Sequence, residues 1–222
     1  MCGRFTLHTD LSQIQKAFQL DHVALEPEPS YNVAPTQSVV TVVQQEGHNV
    51  LARMRWGLVP SWAKDLSIGS KMINARAETL AEKPAFKRLL KSRRCLVVAD
   101  GFYEWRKSGT QKIPMYIRLK SGGPFGFAGL YDTWRSTDAE TIVSCTIITS
   151  EPNDLVAPIH DRMPVILPKK AYAAWLDPAN NDPVALLPLL TPYPQRDMEA
   201  FAVSRLVNSP ANNSPQCIVP AL

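Results

Sequence analysis

Helical periodicity in this chain is confined to short stretches, and most of its apolar positions follow a β pattern. Leu11, Ile14, Ala17 and Phe18 recur on one helical face behind Thr9 and Asp10, either of which can cap the helix. Residues 78–91 predict a second helix, with Phe86, Leu89 and Leu90 on one face and Lys83, Lys87 and Lys91 on another. Residues 169–176 predict a third. Cys2 to Leu7 reads as a strand, and Val39 to Gln44 and Val50 to Val59 read as a hairpin about residues 45–49. Cys95 to Lys107, Met115 to Lys120, Phe125 to Trp134 and Ile142 to Thr149 are separated by Ser-Gly, Ser-Gly-Gly-Pro and Ser-Thr-Asp turns, which predicts a four-strand antiparallel meander. Residues 159–167 and 201–207 add two further strands. Residues 26–37 are too proline-rich for regular structure, and residues 60–73 read as an irregular surface loop. The predicted class is α+β: a curved, barrel-like, mainly antiparallel sheet with a few short helices outside it.

Composition narrows this picture. The 19 prolines among 222 residues keep helices few and short. Apolar residues at 45% and charged residues at 20% suit one core, so residues 1–222 are expected to form a single domain. No apolar run reaches the ~20 residues of a membrane span, and no basic-then-apolar leader opens the chain, so neither a membrane partner nor secretion is expected. Cys2, Cys95, Cys145 and Cys217 are scattered, which argues against a zinc site or a disulfide framework and fits a reducing cytoplasm. The formal charge of +4 points weakly to an anionic partner.

Four places carry candidate chemistry. Removal of Met1 would leave Cys2 with an α-amine and a thiol on adjacent carbons, titrating near ~8 and ~8.5. Such a 1,2-aminothiol takes an aldehyde in two steps, through an iminium to a thiazolidine, and the ring closure is intramolecular. The bland alternative is an accident of the translation start. Asn74, Arg76 and Glu78, if extended, face away from Ala75 and Ala77, and an amide beside a guanidinium suits an oxyanion or a phosphate. A solvated strand-to-helix turn is the alternative there. Gly101 hints at a bulge or at close approach by another backbone. Glu104 sits between two aromatic residues, where partial burial would raise its pKa toward acid/base use, unless it pairs with a cross-strand Lys or Arg. His160 can shuttle a proton with Asp161 orienting it, unless the segment is a turn held by an Asp161–Arg162 pair. His8, His22 and His48 read as surface residues. Among the aromatic residues, Trp56, Trp105 and Trp134 are expected in the core and Trp62 in a binding role.

Taken together, Met1 to Phe5, Tyr31 to Pro35, Trp56 to Trp62, Ile73 to Thr79, Ala99 to Trp105, Phe127 to Leu130 and Ile159 to Pro164 closely resemble the SRAP family, the SOS-response-associated peptidases. The seven blocks are collinear over nearly the whole chain. Members of that family shield abasic sites in single-stranded DNA through a thiazolidine crosslink to an N-terminal cysteine. The resemblance implies that Cys2 is the nucleophile through both of its groups and that Asn74 positions the aminothiol or the sugar. It implies Glu104 as the acid/base and His160 as an aid to proton transfer. Arg4, Arg76 and Arg162 would hold phosphates, with Pro35 and Trp62 along the DNA path. The implied partner is single-stranded DNA containing an abasic site, met by a cytoplasmic monomer, nucleoid-associated if bacterial, in a single-turnover reaction that calls for neither metal nor cofactor. Two other readings use the same residues: a cysteine peptidase or autopeptidase acting through Cys2, and a non-covalent single-strand binding module.

Overall fold

The structure, a computed structural model, describes residues 2–21, 23, 25–136 and 140–221. Met1, His22 and most of the expected turn at 136–138 lie outside them.

Five strands close into a ring: β3 (Ser38–Gln45), β4 (His48–Trp56), β6 (Arg94–Ala99), β9 (Phe125–Arg135) and β10 (Thr141–Ser150). β4, β3, β6, β9 and β10 pair antiparallel in that sequence, and a parallel pairing of Cys145 with Trp56 closes the circuit from β10 to β4. An odd ring cannot alternate direction all the way round, so one parallel seam is required. β5 (Asn74–Arg76) lies parallel to β10 beyond that seam, and β11 (Met163–Pro164) pairs with the end of β10. The hairpin joining β3 to β4 turns on Glu46 and Gly47, both at positive φ, as a two-residue type I′ turn demands.

Both faces of these strands are buried. Val39, Val43, Cys95, Val97, Ala99, Cys145 and Ile147 pack into one cluster with Trp56 and Phe127. Val40, Val42, Leu96, Val98, Leu130 and Ile148 pack into another. Helices α1 (Leu11–Phe18), α2 (Pro84–Ser92) and α3 (Tyr172–Leu176) cover this second face with Ile14, Phe18, Phe86, Leu89, Leu90 and Trp175. Each such fully buried side chain contributes about 1.5–3 kcal/mol of transfer free energy. Two-sided burial explains why residues 95–99 of β6 read as an unbroken apolar run instead of an alternation. Of the two candidate caps, Asp10 is the one that caps α1, by accepting the Gln13 N–H.

A second sheet holds, in order, β12 (Met198–Ala202), β8 (Gln111–Leu119), β7 (Gly101–Ser108), β1 (Phe5–Leu7) and β2 (Ser30–Val33). Phe5, Phe102, Ile117 and Met198 face the first barrel cluster. Tyr103, Tyr116, Val207 and Cys217 form a separate cluster on the opposite face. The beginning of the chain is therefore an interior strand, held on both edges.

Several expectations are corrected. The strand expected over 95–107 is two strands in different sheets, broken at Asp100. The Asp100 carboxylate, 6% exposed, accepts the His8 and Thr9 N–H groups and the Thr9 hydroxyl, which turns the chain from barrel to sheet. The meander fails for the same reason: β7 pairs with β8 and β9 with β10, but the chain changes sheets between β8 and β9. Gly101 meets a side chain and not a backbone, since a Cβ there would lie 2.5 Å from the Tyr116 ring. Residues 30–33 of the expected loop form β2, with Asn213 accepting the Tyr31 N–H. The strand expected over 201–207 begins instead at Met198 and ends at Ala202, and Arg205–Asn208 is a 3-10 turn. Within 159–167 only Met163–Pro164 is a strand. The second helix starts at Pro84, where proline is tolerated at the first position, after a 3-10 turn at Ala77–Thr79. His8 is not a bare surface residue: it stacks on Tyr31 at 5.0 Å and lies 3.5 Å from Asp100.

Candidate active site at the amino-terminal strand

β1 and β7 pair with Phe5 opposite Phe102 and Thr6 opposite Gly101, and the Tyr103 N–H donates to the Arg4 carbonyl at 3.0 Å. Alternation along β7 puts Glu104 on the same face as Phe102, toward the cluster that contains Cys2. Cys2 is fully buried, and burial pushes its thiol up, with the Glu104 carboxylate adding to the effect. The two groups share one small, poorly solvated space.

Glu104 is 3% exposed, and its carboxyl is pushed up to about 7, first by burial and further by the charge of Asp161. Opposite it in β8 stands Met115, so the expected alternative of a cross-strand Lys or Arg partner does not hold. The His160 Nε2 lies 4.0 Å from Glu104 Oε2. Nδ1 of that ring accepts the Arg162 N–H at 3.0 Å, which leaves the proton of neutral imidazole on Nε2, facing Glu104. Burial holds His160 below its ordinary pKa. The same Nδ1 is 2.8 Å from the exposed Asp161 carboxylate, a contact that becomes a hydrogen bond whenever Nδ1 carries a proton, as it does in the imidazolium.

Asn74 arrives on β5. Ile73, its neighbour, packs against the Cys2 cluster, as does Ile159, the neighbour of His160. Asn74 Nδ2 donates to the Ile73 carbonyl at 3.0 Å and more weakly to that of Ile147, while its buried Oδ1 has no partner among the described residues. That oxygen is an open acceptor. Arg76 is exposed, and with Lys71, Lys83, Asn74 and Thr149 it lines a pocket of about 440 Å³. Arg162 is differently placed. Its guanidinium binds both carboxylate oxygens of Glu78, at 2.8 and 2.9 Å, and the Thr149 carbonyl at 2.6 Å, so the expected Asp161–Arg162 pair is replaced by Arg162–Glu78.

Residues 1–210 match the family described as SOS response associated peptidase (SRAP). The chain belongs to the SRAP family. A Bacillus subtilis relative, abasic site processing protein YoqW, is 53% identical over 221 residues, covering 98% of this chain and 99% of its own. Abasic site processing protein HMCES of Xenopus tropicalis is 34% identical, over 86% of this chain and 66% of its own. A crystal structure of a Bacteroides thetaiotaomicron protein superposes with a TM-score of 0.87 at 28% identity and full coverage of both chains.

Three of the residues that the SRAP resemblance implies, Cys2, Glu104 and His160, meet in one place, and Asn74 follows Ile73, which packs against the cluster that holds Cys2. The others are spread. Arg4 donates through Nη1 to Asn32 Oδ1 and the Val207 carbonyl and lies over the Trp105 ring at 5.8 Å, tying the first strand to the last turns of the chain. Pro35 sits half-buried in the turn before β3, beside Thr36 at φ 72°. Trp62 is 63% exposed on a firmly held loop, since Ser61 N–H donates to Asp132 and Trp134 Nε1 to the Ala63 carbonyl. The loop expected on the surface also buries Gly69, against Gly57. Trp56 and Trp134 are core, whereas Trp105 is half-buried and lines a pocket of about 450 Å³ with Glu104, Lys107, Lys112, His160 and Asn208. Sequence reasoning missed Glu78 as the partner of Arg162, Asn32 as that of Arg4, and the two lysines. Asn32 and Glu78 were within reach, lying inside blocks that carry the SRAP resemblance. Among the described residues no three His, Cys, Asp or Glu side chains converge as a metal site would, and no helix is long and apolar enough to cross a membrane.

Proposed function

We propose that this protein processes abasic sites in single-stranded DNA by forming a thiazolidine between Cys2, once Met1 is removed, and the ring-opened sugar. The observation that carries this reading is the placement of a buried Cys2 beside a carboxyl group poised near pH 7. Relatives named abasic site processing proteins support it.

The amine of Cys2 adds to C1′ of the aldehyde, giving a carbinolamine. Protonated Glu104 supplies the proton that lets the hydroxyl leave as water, and an iminium remains. Glu104, now a carboxylate, takes the thiol proton, and sulfur adds to the iminium carbon to close the five-membered ring. Aldehyde and aminothiol thus become thiazolidine and one water, and Glu104 ends protonated as it began. A carboxyl with a pKa near 7 populates both required forms at neutral pH. The buried thiol stays protonated at rest, and the adjacent positive iminium favours the thiolate only when sulfur is needed. His160 Nε2–H, next to Glu104, relays protons to the sugar oxygen, and the open Oδ1 of Asn74 orients the amine or a sugar hydroxyl. Exposed Arg76 and Trp62 bind the backbone and an unpaired base.

A cysteine peptidase needs its thiol pKa lowered, whereas burial raises that of Cys2, so the peptidase reading is disfavoured. The test is denaturing electrophoresis of the protein with single-stranded DNA bearing one abasic site, alongside intact mass of the free protein. A heat-stable shifted band from chains lacking Met1, absent in Cys2→Ala and weaker or more labile in Cys2→Ser, is the expected result. Absence of any band from chains with a free Cys2 amine would reject the covalent reading. Unchanged DNA affinity of Cys2→Ala would then leave a non-covalent module.

A further inference from the structure

The β7–β8 hairpin places two lysines directly opposite one another. Lys107 pairs with Lys112 across the strands, one step from the tip at Ser108 and Gln111, where Gly109 takes a positive φ. Like charges set directly opposite in an antiparallel pair destabilise it. Both side chains are exposed, and neither has an acidic partner among the described residues. Both also line the pocket that contains Glu104 and His160, and the charge of Lys107 reaches His160. Beyond Tyr103, β7 no longer has β1 along its edge, and the pocket opens there. Neither nearby carboxylate is paired with the lysines: Glu104, pushed up to about 7 by burial, keeps its proton part of the time at neutral pH and faces His160, and Asp161 sits against His160 Nδ1.

A like-charge pair kept at the mouth of a reaction site calls for an anion. A second cationic pocket, with Lys71, Arg76 and Lys83, lies on the Asn74 side. The two are joined by residues 160–162: His160 lines one, and Arg162 bonds to the Thr149 carbonyl that borders the other. We propose that Lys107 and Lys112 form a two-lysine clamp for a DNA backbone phosphate flanking the lesion, separate from the phosphates reached from Arg76. This rests on the reading of the site as one for abasic DNA. Half-buried Trp105, fixed by its Nε1–H donation to Asn208 at 2.8 Å, floors the same pocket.

The test compares wild type with Lys107→Gln/Lys112→Gln, using single-stranded oligonucleotides that carry one abasic site and, in separate strands, an uncharged methylphosphonate at each linkage near it. The crosslinking rate at limiting protein is measured across salt concentrations. The double variant is expected to react roughly tenfold more slowly, with a log–log salt dependence shallower by about 0.7 for the one phosphate no longer neutralised on a single strand. One neutral linkage should slow the wild type and have no further effect on the variant. Equal rates and equal salt dependence in the two proteins would overturn the clamp, and so would a loss that adds to that of every neutral linkage. If wild type forms no crosslink, the covalent reading fails separately. The same double-variant comparison is then made by equilibrium binding to these strands, with the same loss expected and equal affinities overturning the clamp.

Discussion

Glu78 and Arg162, 84 residues apart, form a two-pronged ion pair, Nη1 to Oε1 at 2.8 Å and Nη2 to Oε2 at 2.9 Å. The pair links the segment that begins at Asn74 to the one that carries His160. Because the Arg162 N–H also sets the His160 tautomer, the ion pair holds two parts of the site in register.

Glu78→Gln is therefore expected to slow crosslinking severalfold. Its stability effect should be small, about 0.5 kcal/mol, since Glu78 is half-exposed and solvent screens the pair. Arg162 depresses the Glu78 pKa below 4.5, so this contribution is present above that pH and is lost as pH falls through the lower folded value. Urea titrations of wild type and variant at neutral and acid pH should converge at the acid end.

Glu104 has the opposite sign. Its pKa rises from 4.5 to about 7 on folding, so between those values the unfolded chain gives up the proton more readily and wild-type stability falls with rising pH. The loss is roughly 3 kcal/mol at its fullest. Glu104→Gln should lack this decline, which denaturant midpoints measured from pH 4 to pH 8 will read. The same variant should lose about 10²–10⁴ in crosslinking rate, together with the limb of the pH–rate profile centred near 7.

Trp62→Ala should leave the thermal midpoint unchanged, because the side chain is 63% exposed. It should weaken binding to single-stranded DNA by about 1–3 kcal/mol, the value of one base stacked on an aromatic ring. Fluorescence anisotropy with an unmodified oligonucleotide isolates this effect from the covalent step.

Gly57 holds φ at 123°, and a Cβ there would lie 2.6 Å from the Gly69 carbonyl oxygen. This contact seats the loop that bears Trp62 against the barrel. Gly57→Ala should cost about 2–4 kcal/mol of stability, from backbone strain and a clash with main chain that has no side chain to yield. A urea midpoint that matches wild type would show that the loop is not seated this way.

The residues proposed to carry the chemistry stand out in the sequence because chemistry depends on residue type: an aminothiol after Met1, a carboxylate between aromatic residues, a histidine beside an aspartate. Elements with strong local signals were legible too. Asp10 capping an apolar helical face, and Glu46-Gly47 turning a hairpin, are decided within a few residues. Tertiary structure alone decided the rest. The break at Asp100 depends on hydrogen bonds from residues 91 and 92 positions earlier in the chain. Cys95 to Lys107 reads as one strand because both sheets bury apolar residues there, and no local signal says which sheet is meant. β2 forms in a proline-rich stretch because β1 offers it an edge. The raised pKa of Glu104 likewise follows from what covers it, not from its flanking aromatics. Amino-acid type determines which group can donate a proton or a nucleophile. Whether it holds the proton, and which of its neighbours receives it, is settled by burial and by contacts far apart in the chain.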